Sequence, residues 1–300
     1  MGIPTLFFSL LLNGLVFSAM LVLFSLGLNL IFSYLNVLNM AHGGFYTLGI
    51  YLSMTLATTI ALKGLLPTYS ILLLVFVAGG IVGLIGFVVE PLLLRRVYAR
   101  GHADQLLLTY GLLLILDDLV KLGWGLELHS VPEAYYFLGN VPLFGVSFPN
   151  YNFFLLFGCF ILAWILWFIL YKTIFGKTCR AIAEHRDMVR ALGVNSEKLF
   201  TLIFVIGVVY AGWGGSLMMP LTGIFPGIGL EPLILSFIIV AIGGLGSLKG
   251  AVMGSFIVGL IRSIGIGYFP EIELMIVYLI MAIILLIRPQ GLFGRREIVW

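Results

Sequence analysis

Three hundred residues with 61% hydrophobic side chains, only 10% charged ones and a formal net charge of +3 cannot be a soluble globular domain, where charge runs near a quarter of all residues. The apolar runs are long and repeated, which leaves an all-α, polytopic integral membrane protein. The basic residues fall in short loops between these runs and have no aromatic stacking platform, so a nucleic-acid partner is excluded.

No Lys or Arg precedes the first apolar block, Pro4 to about Phe32, which reads as a retained span rather than a cleaved signal peptide. Residue 6 is Leu where a myristoylation motif has Ser or Thr. The next piece, FSYLNVLNMAHGGFYTLGIYLSM, places Asn36, Asn39 and His42 beside Gly43 and Gly44, which predicts a broken or closely packed helix. Further spans are predicted at Tyr69–Leu94, Gln105–Gly123, Tyr151–Tyr171 and Leu199–Leu221, then from Glu231, at Ala251–Ile266 and at Leu274–Ile287. The count is eight or nine, with 33–62 the open region. Ala211, Gly212, Gly214, Gly215 and Ser216 predict close helix approach along the sixth span. AHGGFYTLG (41–49) and LKGAVMGSF (248–256) echo each other weakly as glycine turns opening small-residue helices.

The loops at 95–100, 172–198 and 288–296 are basic, and those at 124–150 and 269–273 acidic. The positive-inside rule therefore puts the basic loops and the C-terminus in the cytoplasm, and with nine spans the N-terminus outside. The whole chain, 1–300, reads as one transmembrane domain.

The longest strongly polar run, Lys172 to Lys198, holds six of the sixteen Lys and Arg residues. On a helical wheel Ala181, Ile182, His185, Met188, Val189 and Leu192 share one side, and Arg180, Glu184, Arg186, Asp187 and Arg190 the other. Gly193 is placed to stop this helix and Asn195 to cap the next. A short amphipathic helix between spans either lies on lipid headgroups or fits a groove on a soluble partner; periodicity alone does not choose.

Chemistry-bearing patterns are sparse. Gly176-Lys177-Thr178 lacks the preceding phosphate-loop glycine, whose place is taken by Tyr171, and GLGSLKG (244–250) lacks both the Gly before Lys249 and the Ser or Thr after it. His42, His102, His129 and His185 form no catalytic or metal-binding motif, so no catalytic residue and no metal ligand is assigned. Cys159 and Cys179 lie on different sides of the hydrocarbon boundary, too far apart in character for a disulfide. Asn39, His42 and Tyr46 share a helical face and either line a solute path or hydrogen-bond a neighbouring helix. Asp117 and Asp118 suit an interface, Arg262 is expected to snorkel, and Glu90 to pair with Arg95 or Arg96.

Five blocks carry a specific resemblance: GLNLIFSYLNVLNMAHGGFYTLGIY (27–51), RGHADQLLLTYGLLLILDD (100–118), GKTCRAIAEHRDMVRALGVNSEKLF (176–200), IGGLGSLKGAVMGS (242–255) and RPQGLFGR (288–295). In order and over nearly the whole chain, they resemble the permease subunits of branched-chain amino acid ABC importers. The resemblance implies the ABC importer permease fold in a bacterial or archaeal plasma (inner) membrane. It implies a coupling helix that docks on an ATPase, with Arg180, Glu184, Arg186, Met188, Arg190 and Gly193 as contacts. It implies a second permease chain, two ABC ATPase subunits and an extracytoplasmic substrate-binding protein as partners, with no cofactor bound directly and ATP used by the partners. The substrate would be leucine, isoleucine or valine; urea or short amides are the alternative, and a stand-alone secondary carrier the rival class.

Overall fold

The computed structural model describes residues 3–294 except 62, 99, 144 and 185. The basic end at 295–300, which includes the last residue of the RPQGLFGR block, lies outside the described residues, as does His185 of the polar run. The chain forms α1 (Ile3–Leu35), α2 (His42–Leu56) with a π-helical turn to Ala61, α3 (Ile71–Leu92), α4 (His102–Trp124) and α5 (Glu133–Tyr136). A hairpin of β1 (Asn140–Leu143) and β2 (Val146–Pro149) follows, then α6 (Tyr151–Lys172), α7 (Ile174–Glu184) and α8 (Arg186–Ala191). The chain continues through α9 (Ser196–Met218), α10 (Leu230–Gly243), α11 (Leu248–Tyr268) and α12 (Glu273–Ile287).

A helix stands at each predicted span. Among the described residues, six are long and apolar enough to cross a membrane: α1, α2 with its extension, α3, α6, α9 and α11. α10 and α12 are apolar but shorter, at 14 and 15 residues. α4 is long but carries Asp104, Asp117, Asp118 and Lys121. The fold is all-α, and the loop at 124–150 adds one short antiparallel hairpin, in which Asn140 to Leu143 pair with Pro149 to Val146. Pro142 and Pro149 obscured it, since proline argues against a strand away from edges.

α1 and α9 form the centre. Every residue from Ser18 to Ile31 is buried. The break predicted after the first span is real: α1 ends at Leu35, Asn36 takes a left-handed φ of 56°, which short polar Asn tolerates better than most residues, and helix resumes at His42. α1 and α11 meet along small residues, with Ser25 and Ser255 hydroxyls 2.9 Å apart, and Asn29 Oδ1 accepting from the Gly246 amide at 3.1 Å.

The small-residue cluster on α9 does what its composition predicts. Gly212 abuts the backbone of Gly49 on α2 and Gly79 on α3, while Gly215 lies against the Tyr46 carbonyl. The Ser216 hydroxyl donates to the Gly49 carbonyl at 3.0 Å. A methyl group at Gly49 or Gly215 would collide with backbone that cannot yield, so three helices are held at backbone contact distance. Around this centre, α3, α6 and α12 turn large apolar side chains outward, among them Leu84, Phe87, Phe157, Phe160, Met275 and Leu279, as a lipid-facing surface requires.

Candidate coupling loop and solute path

The polar run begins at Lys172, the last residue of α6. Helix is described on both sides of residue 185: α7 starts at Ile174, earlier than the wheel suggested, and α8 runs from Arg186 to Ala191. Burial divides the apolar face. Gly176, Cys179 and Ile182 of α7 and Val189 of α8 are buried against the protein, whereas Ala181, Met188 and Leu192 are exposed. Burial pushes the Cys179 thiol up to about 12.

The candidate contacts separate accordingly. Glu184 and Met188 are on the outward side, Met188 at 67% exposure. Arg180 is half-buried; its guanidinium donates to the Leu170 carbonyl and lies 5.3 Å from the Tyr171 ring centroid. It thus satisfies a last-turn carbonyl of α6 and pins the loop to that helix. Arg186 and Arg190 stand on α8, and their side chains, like that of Asp187, lie outside the described residues. Gly193 ends α8 at φ 82°, with Val194 N–H bonding back to the Val189 carbonyl at 3.3 Å, the six-to-one closure of a helix C-terminus. Asn195 Oδ1 accepts from the Lys198 amide at 3.0 Å, so α9 is capped as the sequence requires.

α9 is then fastened to α3 by charge. Arg95 Nη2 bonds Glu90 Oε2 at 3.1 Å and Nη1 bonds Glu197 Oε2 at 3.0 Å. The Thr201 hydroxyl accepts from Arg95 at 2.8 Å and donates to Glu90 at 2.7 Å. The expected Glu90–Arg95 pair is present, and its bond to Glu90 holds the Arg95 guanidinium above its ordinary pKa.

Asn39, His42 and Tyr46 come together in the interior. All three are buried. His42 Nε2 lies 3.0 Å from the Phe24 carbonyl, and the rings of His42 and Tyr46 pack edge-on against Phe24. His42 Nδ1 and both amide atoms of Asn39 have no hydrogen-bond partner. Asp117 Oδ1 accepts from the Gly227 amide at 3.1 Å, tying α4 to the turn before α10, and Asp118 pairs with Lys121 at 2.8 Å. Arg262 does not snorkel as expected. Its guanidinium pairs with Glu231, lies 3.6 Å from Glu273 and stacks 4.5 Å from the Phe17 ring centroid. It also lines a cavity of about 220 Å³ with Asn13, Asn152 and Met218. This cluster joins α1, α10, α11 and α12, and no local spacing in the sequence announces it.

Residues 10–285 match the sequence profile of a family described as branched-chain amino acid transport system / permease component. The chain is 27% identical to the high-affinity branched-chain amino acid transport system permease protein BraD of Pseudomonas aeruginosa, over 96% of each chain. It is 27% identical to the LivH protein of the same description from Escherichia coli K12, over 95% of each. It is 30% identical to the probable branched-chain amino acid transport permease protein LivH of Methanocaldococcus jannaschii, over 94% of this chain and 91% of that one. No solved structure matches.

Proposed function

The chain belongs to the family of branched-chain amino acid transport system permease components, and on that premise we propose that it is the transmembrane subunit of an ATP-binding-cassette importer for leucine, isoleucine and valine. The observation that carries this reading is the extent of the likeness, which runs from residue 10 to 285. As such a subunit it crosses the plasma membrane eight or nine times, with the basic loops and the C-terminus in the cytoplasm. Its partners are a second permease chain, two ATPase subunits and an extracytoplasmic binding protein; ATP is bound and hydrolysed by the ATPases.

In the proposed mechanism, ATPase closure displaces α7 and α8 through their outward side, where Glu184 and Met188 are exposed, with Arg186 and Arg190 as further contacts. Gly193 and the Asn195 cap pass that displacement to α9. The Arg95 cluster ties it to α3, and the interlocked glycines carry it to α2. Asn39, His42 and Tyr46 lie on the segment that this movement would open. A gradient-driven carrier would instead need a relay of buried carboxylates, and Glu90 and Glu273 are held against arginines.

The test is a pull-down of the tagged chain from detergent-solubilised membranes. Recovery of a P-loop ATPase and a second permease, both lost in Arg186→Glu, is expected. Recovery of the chain alone, active in vesicles without ATP, would overturn the reading.

A further inference from the structure

Arg262 stands within α11 and its side chain is only 12% exposed. An ionisable group inside a spanning helix is costly and as a rule marks a solute path. Its surroundings are specific. Two carboxylates flank the guanidinium: Glu231, half-exposed at the start of α10, and Glu273, largely buried at the start of α12. The cavity that Arg262 lines has an apolar wall of Val16, Phe17, Met218, Leu221 and Ile266. Its volume, about 220 Å³, is below the roughly 300–1,000 Å³ of sites for drug-sized ligands and suits a small metabolite. A second cavity, about 350 Å³ and lined by the β1–β2 hairpin, shares Asn13, Tyr135 and Asn152 with it. The two lie on either side of these shared residues, so the cavity beside the guanidinium neighbours the one beneath the hairpin.

We infer that this cavity binds a zwitterionic aliphatic amino acid, with Arg262 taking the α-carboxylate, Glu231 the α-ammonium and the apolar wall the side chain. The inference deepens the proposed function and rests on it. The charge arithmetic favours a zwitterion. Opening the Arg262–Glu231 pair lets each partner meet an opposite charge on the ligand, so no ion is left buried and unpaired. Glu273 remains to hold the guanidinium in place. A carboxylic acid without the amine would leave Glu231 beside an added negative charge. An amine without the carboxylate would draw Glu231 away from Arg262 and leave the guanidinium only Glu273, 3.6 Å distant. A site that reads two charges rejects ligands lacking either one.

The experiment uses the assembled complex in proteoliposomes, with uptake of labelled L-leucine as readout. Excess 4-methylpentanoate and 3-methylbutylamine, the analogues lacking the amine or the carboxylate, serve as competitors. Arg262→Gln should lower uptake about 30-fold or more, the size expected when one partner of a buried charge pair is removed. ATPase stimulation by the loaded binding protein should persist, which reports assembly. Neither analogue should compete measurably. In an Ile266→Cys chain, leucine should slow labelling by a membrane-impermeant maleimide, and Arg262→Gln in that chain should abolish the protection. Ile266→Trp, which narrows the cavity and leaves every ion in place, should also lower uptake, and it decides the matter if Arg262→Gln fails to assemble. Leucine uptake within about twofold of the unaltered complex in Ile266→Trp and in any Arg262→Gln complex that assembles, without leucine protection, would overturn the site alone. An unaltered complex that takes up no aliphatic amino acid would overturn the proposed function and the site together.

Discussion

Two arginines in this protein each sit between two glutamates, and the two clusters behave differently. Arg95 lies between Glu90 and Glu197, and both its terminal amino groups are engaged, one of them shared with the Thr201 hydroxyl. Arg262 lies between Glu231 and Glu273; in both clusters the arginine Nε and one carboxylate oxygen make no hydrogen bond, but beside Arg262 a cavity opens. The first cluster is bridged by a hydroxyl where α9 leaves the polar loop. The second opens onto a cavity where four helices meet. The same residue set thus fastens two helices in one place and faces a cavity in the other, and what separates the two is the bridging Thr201 hydroxyl at Arg95 and the open space beside Arg262.

Stability measurements can break that comparison. Arg95→Ala leaves Glu90 fully buried and without its cation. The expected loss is about 2–3 kcal/mol in denaturant unfolding of the purified permease, somewhat below a fully enclosed pair because Arg95 is partly exposed. Arg262→Gln should cost less stability than Arg95→Ala while costing far more transport. Equal unfolding shifts for the two would erase the distinction drawn here. Thr201→Val should cost about 1–1.5 kcal/mol, since one hydroxyl serves both ions. Glu197→Gln should stay within about 0.5 kcal/mol, because that carboxylate is mostly in water.

Two smaller effects sharpen the contrast between fastening and docking within the polar loop. Met188→Asp should leave the unfolding midpoint unchanged, as the side chain is 67% exposed, and should abolish ATPase co-purification. A loss of stability with the ATPase retained would assign Met188 to the fold instead. Cys179 should resist maleimide at pH 8, where a thiol pushed up to about 12 has roughly one part in ten thousand as thiolate. Rapid labelling there would mean that α7 lifts from the protein.

What the sequence disclosed follows how local each feature is. The Asn195 cap, the Gly193 stop and the Glu90–Arg95 pair involve residues a few positions apart, and each was legible. The break before His42 was legible because polar residues and paired glycines cannot sit in lipid without a structural reason. The glycine seam of α9 was legible as a tendency to close approach, though its partners on α2 and α3 were not. Arg262 was misread as snorkelling because Glu231 and Glu273 reach it from other helices, and the cavity beside it has no sequence signature. The polar loop fell between these cases: its periodicity was correct, but spacing alone could not tell that Ile182 faces inward while Met188 faces out.

The length of α12 has a consequence for the membrane around it. Fifteen residues rise only about 22 Å, while the hydrocarbon layer is about 30 Å thick. Of its residues only Val277 is buried, so most of its surface faces away from the rest of this chain. As a span of the proposed permease it must draw the two leaflets together along that edge, at a fraction of a kcal/mol for each ångström. α1, with 33 residues and about 50 Å of rise, presents the opposite mismatch but is sheltered in the interior. The bilayer therefore pulls on one side of this protein more than the other, and acyl chain length becomes a variable that can bias its resting state from the rim at Glu273, next to Arg262.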